Sequence, residues 1–236
     1  MCIRDRDIHV PRAPHERFRG KSELGYRGDA MVQLDWACGR ILRALDERGL
    51  ADDTIVIFAS DNGGTTASDN APLRAGKGWL FDGGVRTPLI VRWPGVTAPG
   101  ELHRAPVTQL DLFPTLCRAA GADAPQTLDG VDLAPLLAGA ALAPRPLRFH
   151  APDYARFRRG AFERKPTSAL RQGSLKLVYD HESASAALYD LATDVSEARD
   201  LAATRPQQAA ALERALLTWL RGAPQLQPRP RTEAPR

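Results

Sequence analysis

Apolar residues at Met31, Leu34, Cys38, Ile41, Leu42 and Leu45 recur close to every 3.6 positions, and Gly49 follows them. This pattern predicts an amphipathic helix over Asp29 to Arg48. The run Thr54 to Ala59 is too short and too uniformly apolar for a helix. It predicts a strand covered on both faces, the habit of parallel sheets flanked by helices. From Ser60 to Gly84, glycines and small polar residues replace any period, so a long loop is expected. Loops of that length inside a domain are usually functional. Leu89 to Trp93, closed by Pro94-Gly95, predicts a second buried strand, and Val107 to Ala120 a helix interrupted near Pro114.

From about Arg145 the apolar stretches shorten. Those at Ser174 to Tyr179 and Ala187 to Leu191 suit a small antiparallel sheet. A final helix over Pro206 to Arg221 has Leu212, Leu216, Trp219 and Leu220 on one face and Pro206 in its first turn. The expected class is α/β, with a mostly parallel sheet flanked by helices over residues 1–144. A small α+β subdomain with an antiparallel sheet and a terminal helix follows over 145–222, and a disordered tail over 223–236.

Composition adds exclusions. The 236 residues carry 32 Lys plus Arg against 28 Asp plus Glu, and the arginines are spread through every segment. A nucleic-acid surface needs its basic residues in one stripe, so none is expected. No apolar run approaches the roughly 20 residues of a membrane helix, and no membrane insertion is expected. Cys2, Cys38 and Cys117 have no metal-ligand spacing and read as buried thiols.

Candidate chemistry gathers around the loop. Asp61-Asn62 directly follows the first strand, where ligands of open α/β sheets bind. A carboxylate beside an amide carbonyl is a pair of hard oxygen donors, suited to calcium or magnesium. Gly63-Gly64 lets the backbone turn sharply there. Lys77, between Gly76 and Gly78, is a cation whose neighbours have no side chains to block an approaching anion. His9, in Ile8-His9-Val10-Pro11, has the acidity to protonate a departing alcohol oxygen. Each has an ordinary reading too: Asp-Asn-Gly as turn chemistry, Lys77 as a solvated surface cation, His9 as a loop histidine. Trp79 and Phe81 read as packing at the loop base before contacts to a substrate ring.

Several stretches together resemble a known family. Thr54-Ile-Val-Ile-Phe-Ala-Ser-Asp-Asn-Gly-Gly, Ala71-Pro72-Leu73-Arg74-Ala75-Gly76-Lys77-Gly78 and Asp82-Gly83-Gly84-Val85-Arg86-Thr87-Pro88 are similar to the second half of sulfatases of the arylsulfatase type. Their fold is alkaline-phosphatase-like. Leu110-Asp-Leu-Phe-Pro-Thr-Leu, Leu128-Asp-Gly-Val-Asp-Leu and Leu188-Tyr-Asp-Leu extend the likeness downstream. The resemblance implies hydrolysis of a small-molecule or glycan sulfate ester, with Asp61 and Asn62 as ligands of Ca2+ and Mg2+ as the weaker fit. It implies that Lys77 contacts the sulfate group, and that His9 contacts it and helps protonate the leaving oxygen. In that family a hydrated formylglycine attacks sulfur, the alcohol leaves, and the second hydroxyl expels sulfate.

The family's nucleophile segment, C-x-P-S-R or S-x-P-S-R, has no match here, since Cys38 is followed by Gly-Arg-Ile-Leu and Cys117 by Arg-Ala-Ala-Gly. Formylglycine is therefore expected only in a missing N-terminal part, and the chain alone is expected to be inactive. The opening Met-Cys-Ile-Arg-Asp-Arg matches the translation of a sequencing-library adapter, so residues 1–6 are expected to be an artefact joined to a cut reading frame. For the parent protein the resemblance points to the periplasm or the cell exterior, with the cytoplasm left open. Two other readings remain: a phosphodiesterase or phosphonate hydrolase of the wider alkaline-phosphatase superfamily, and a non-catalytic module of the same fold.

Overall fold

The structure is a computed structural model. It describes residues 13–65, 68–153, 155–157 and 162–223, so His9 and the expected tail from residue 224 onward lie outside the described residues. The chain divides into two units, one running to Val56 and including Val91–Gly95, the other made of Ile57–Ile90 and Val96 onward.

In the first unit a short 3-10 turn, Glu16–Phe18, precedes helix α1, Gly25–Glu47. The helix starts four residues before the predicted Asp29, because Asp29 does not cap it. Its carboxylate oxygens instead accept hydrogen bonds from the backbone N–H groups of Gly20 and Ser22, 2.9 Å each, and tie the preceding turn onto the helix. Phe18 packs on Trp36 with ring centroids 5.5 Å apart, and the Arg17 guanidinium lies 3.5 Å from the Trp36 ring centroid. The helix stops at Gly49, whose φ of 65° is the left-handed value that favours glycine. Its predicted apolar face is only partly covered: Leu34, Cys38 and Leu45 are half-buried, while Met31 is 49% exposed and Ile41 and Leu42 are open to solvent.

Strands β1 (Val56–Ala59) and β2 (Leu89–Arg92) form a two-stranded sheet. Both were expected to be buried on two faces. Among the described residues no third strand joins them, so Phe58 is exposed and Ile90 is 63% exposed. Between them the long loop contains one short helix, α2 (Asp82–Val85).

The predicted interrupted helix is instead a 3-10 turn, Gln109–Asp111, leading into α3 (Leu112–Ala119). Pro114 falls in the first turn of α3, where a missing N–H breaks no intrahelical bond. Asp111 is fully buried and holds this corner: it accepts from the N–H groups of Thr108 at 2.7 Å and Val131 at 2.9 Å and pairs with Arg145. A short helix, α4 (Ala134–Leu137), follows.

The C-terminal part carries more strands than its apolar stretches predict. Strands β3 (Pro146–Ala151), β6 (Thr167–Gln172), β7 (Leu175–Asp180) and β8 (Ser185–Asp190) form an antiparallel sheet in that order, and β4 (Ala155–Phe157) pairs with β5 (Phe162–Arg164) as a separate hairpin. Strand alternation gives the four-stranded sheet two different faces. On one, Leu170, Leu177 and Leu188 are fully buried beneath Leu212, Leu216 and Leu220 of α5 (Pro206–Arg221), the helix the sequence predicts. On the other, Ala169, Val178 and Tyr189 meet Leu80 and Phe81 of the long loop. The sheet is thus a platform with a helix below and the glycine-rich loop above.

Candidate active site

The loop after β1 is knitted to itself through backbone bonds. Ser60 donates its N–H to the Pro88 carbonyl at 3.3 Å, Gly63 to that of Gly84 at 2.9 Å, Lys77 to that of Gly64 at 2.8 Å and Gly83 to that of Arg74 at 2.9 Å. The Asn70 amide closes the same knot by donating to the carbonyls of Gly64, 3.1 Å, and Ala75, 3.0 Å. Two glycines explain the sequence here. A Cβ on Gly63 would lie 1.8 Å from the Gly83 carbonyl oxygen, and one on Gly84 would lie 2.1 Å from that of Trp79. The glycines let backbone segments touch where no side chain fits.

The knot brings the Gly76-Lys77-Gly78 segment back to the Asp61-Asn62-Gly63-Gly64 turn, with one hydrogen bond between Lys77 and Gly64. Asp61 and Lys77 are exposed and Asn62 is half-buried. Neither the Asp61 carboxylate nor the Lys77 ammonium makes a hydrogen bond or ion pair with the described residues. The Asn62 carbonyl accepts from the Ser60 hydroxyl at 2.9 Å, which holds the turn.

The donor chemistry of Asp61 and Asn62 fits a hard cation. The number does not reach a complete sphere, since among the described residues no group of three or more His, Cys, Asp or Glu could hold a metal ion. Calcium takes 6–8 oxygen ligands, more than Asp61 and Asn62 can supply.

The loop is also tied to the platform, through residues that sequence reasoning missed. The Arg74 guanidinium donates to the Glu197 carbonyl at 2.7 Å and to the Tyr189 hydroxyl at 3.1 Å, and lies 3.9 Å from the Phe81 ring centroid. Asp82 donates its N–H to Glu197 Oε2 at 2.6 Å. The fully buried Lys176 ammonium sits 2.7 Å from Asp82 Oδ1 and 2.8 Å from Glu197 Oε1. Burial pushes the Glu197 carboxyl up, against the opposing pull of Lys176. Burial likewise raises the Tyr189 hydroxyl, with Arg74 opposing. Glu197 holds a φ of 50°, a left-handed value that is strained for a residue with a side chain.

Phe81 is packing, as the sequence suggests: it meets the Tyr189 ring edge-on at 6.1 Å. Beside it a cavity of about 380 Å³ is lined by Trp79, Phe81, Arg164, Thr167, Asp180 and Tyr189, among others. Arg164 spans its rim by donating to the Gly78 carbonyl at 2.9 Å.

This fold and loop define a class. The chain matches the family model described as Sulfatase over residues 6–122 and the one described as N-sulphoglucosamine sulphohydrolase, C-terminal, over residues 75–221. It belongs to the sulfatase family. Human arylsulfatase A is 41% identical over 174 residues, covering 71% of this chain and 33% of its own length. The N-acetylgalactosamine-6-O-sulfatase of Bacteroides thetaiotaomicron is 43% identical over 124 residues, covering 47% and 24%. A structure from work on glycosaminoglycan metabolism by Bacteroides thetaiotaomicron superposes with a TM-score of 0.73 at 29% identity, covering 91% of this chain and 48% of that one. The phosphonate monoester hydrolase of Agrobacterium radiobacter gives 0.61 at 31% identity, covering 84% and 40%. The chain therefore spans about a third of the length of human arylsulfatase A and under half of these solved structures.

Proposed function

We propose that this chain is the C-terminal portion of a sulfatase whose complete form hydrolyses sulfate esters of small molecules or glycans. The observation that carries the reading is the 2.8 Å bond from the Lys77 N–H to the Gly64 carbonyl, which sets a cation-bearing loop against the Asp61-Asn62 turn in a chain of this family. Asp61 and Asn62 would supply oxygen ligands to calcium, which when bound would offset negative charge on the sulfate oxygens. The Lys77 ammonium offsets charge on another sulfate oxygen as it grows in the transition state. His9 donates a proton to the departing alcohol oxygen. The exposed apolar side of α1 and the thinly covered β1 and β2 are what a piece of a larger α/β domain presents.

The test is to clone the reading frame upstream of Asp7 from the source genome and express the complete protein with a formylglycine-generating enzyme. Release of 4-nitrophenol from 4-nitrophenyl sulfate, lost in Lys77→Ala and Asp61→Ala, is expected. Residues 1–236 alone should release none. A complete protein that leaves the sulfate untouched overturns the reading. Two solved phosphonate monoester hydrolases at 31% and 28% identity favour a second reading, cleavage of a phosphonate monoester. Turnover of 4-nitrophenyl phenylphosphonate above that of the sulfate would select it.

A further inference from the structure

Lys77 needs more than a flexible backbone to act on an anion. A lysine has four rotatable side-chain bonds, and flanking glycines give its main chain additional freedom. Something must hold the loop in one place, and its own backbone bonds join only parts of the loop to each other. Arg164 of β5 reaches the Gly78 carbonyl, and two further holding points lie on either side of Lys77, at Arg74 and Asp82, both converging on Glu197.

The centre of that arrangement is Lys176. It stands on β7 opposite Arg171 of β6 and Tyr189 of β8, so these three share the face of the platform that carries the loop. Its ammonium is fully buried and reaches one carboxylate from the loop, Asp82, and one from the segment after β8, Glu197. Hydrophobic residues of similar volume generally give a stable core at least as well as a buried ion group. What the ions add is a single permitted geometry, because any slip of the loop leaves a buried charge unpaired.

We infer that Lys176, gripping Asp82 and Glu197, is a positioning residue for Lys77: it fixes the height and register of the Gly76-Lys77-Gly78 segment above the sheet without touching substrate. The role of Lys77 itself rests on the sulfatase reading, whereas the clamp is a property of the loop and is measured separately. The prediction is local. Losing Lys176 frees Asp82, then Gly83 and Gly84, and with them the bonds Gly63 N–H to Gly84 and Lys77 N–H to Gly64. The helix-covered side of the platform, with Leu177 and Leu188, does not depend on that grip.

The test is amide hydrogen exchange by NMR on the 15N-labelled chain, in the wild type and in Lys176→Met. The Gly63 and Lys77 amides should accelerate in the variant by at least tenfold more than those of Leu177 and Leu188. If Lys176→Met does not fold, Lys176→Met combined with Asp82→Asn and Glu197→Gln removes all three charges at nearly constant volume. That variant should keep the slow platform amides and show the same fast loop. Unchanged loop amides in a folded variant, or acceleration equal at all four positions, overturns the clamp. Titration with sodium sulfate on the same samples separates the two claims: a wild-type Lys77 resonance that sulfate does not move counts against Lys77 as an anion contact, and the exchange rates still decide the clamp.

Discussion

The Lys176 ammonium lies 2.7 Å from Asp82 Oδ1 although 94 residues separate the two in the chain. Removing one partner of a buried ion pair leaves an uncompensated charge and typically destabilises by about 3–5 kcal/mol. Lys176→Met leaves two carboxylates, Asp82 and Glu197, facing each other. Because burial already pushes the Glu197 carboxyl above its usual value of 4.5, that carboxyl is the one that takes up a proton. A group with a raised folded pKa loses stability as pH rises through that value. The variant should therefore lose most against wild type at neutral pH and recover part of the loss in mild acid, read as urea midpoints across that range. A deficit that does not change with pH would assign the loss to packing.

The glycine knot makes a second prediction. Gly84→Ala places a methyl 2.1 Å from the Trp79 carbonyl oxygen and 2.5 Å from that of Gly76, both backbone atoms that cannot swing aside. Overpacking of this kind costs about 1–3 kcal/mol. Urea midpoints should fall accordingly, whereas Gly39→Ala in α1, whose nearest neighbour is the tip of Arg43 at 3.6 Å, should leave stability equal or higher.

Much of this was legible in the sequence, and the limits have physical causes. The final helix was readable to its ends because Leu212, Leu216 and Leu220 keep one face and Pro206 marks its first turn. The long loop was readable because Ser60 to Gly84 replaces any apolar period with glycines and small polar residues. Strands β3 and β6 escaped, since Arg148, His150, Ser168 and Arg171 interrupt their apolar pattern. The partner of β3 lies far along the chain at β6, although β6 itself turns straight into β7. Lys176 and Glu197 escaped for the same reason: a buried charge looks like a solvated one until its counterion, far away in sequence, is known.

The corner held by Asp111 supplies a third prediction. Asp111→Asn replaces one acceptor oxygen with an NH2 group facing a backbone N–H of Thr108 or Val131, and it removes the charge paired with Arg145. Arg145 keeps some solvent contact, so the loss should fall at or below the low end of about 3–5 kcal/mol. Thr115→Val tests the same corner from the neighbouring helix. Its hydroxyl donates to the Asp111 carbonyl at 2.6 Å and accepts from the Leu133 N–H at 2.8 Å. Leaving those groups unpaired should cost about 1–3 kcal/mol at constant shape, measured by thermal and urea unfolding.

A fourth prediction concerns acid. The fully buried Ser168 hydroxyl lies 2.7 Å from His150 Nδ1 and 2.7 Å from His181 Nε2. One hydroxyl can donate to one imidazole and accept from the other, so the imidazole that accepts must be neutral on that nitrogen. A second proton turns both imidazoles into donors and leaves the serine hydrogen without an acceptor. Burial, and next the nearby His150, hold His181 below its usual 6.5, while Asp180 pulls the other way; the Tyr179 ring packs 5.0 Å from that of His181. A histidine with a lowered folded pKa takes up its proton in the unfolded chain first, so stability is complete above about 6.5 and declines as pH falls toward the depressed value. For one proton the slope is at most about 1.4 kcal/mol per pH unit. Urea midpoints from roughly pH 8 down to pH 5 should fall in the wild type and fall less in His181→Gln, whose amide can still bond to Ser168 without titrating. Equal slopes in the two proteins would place the acid sensitivity elsewhere in the chain.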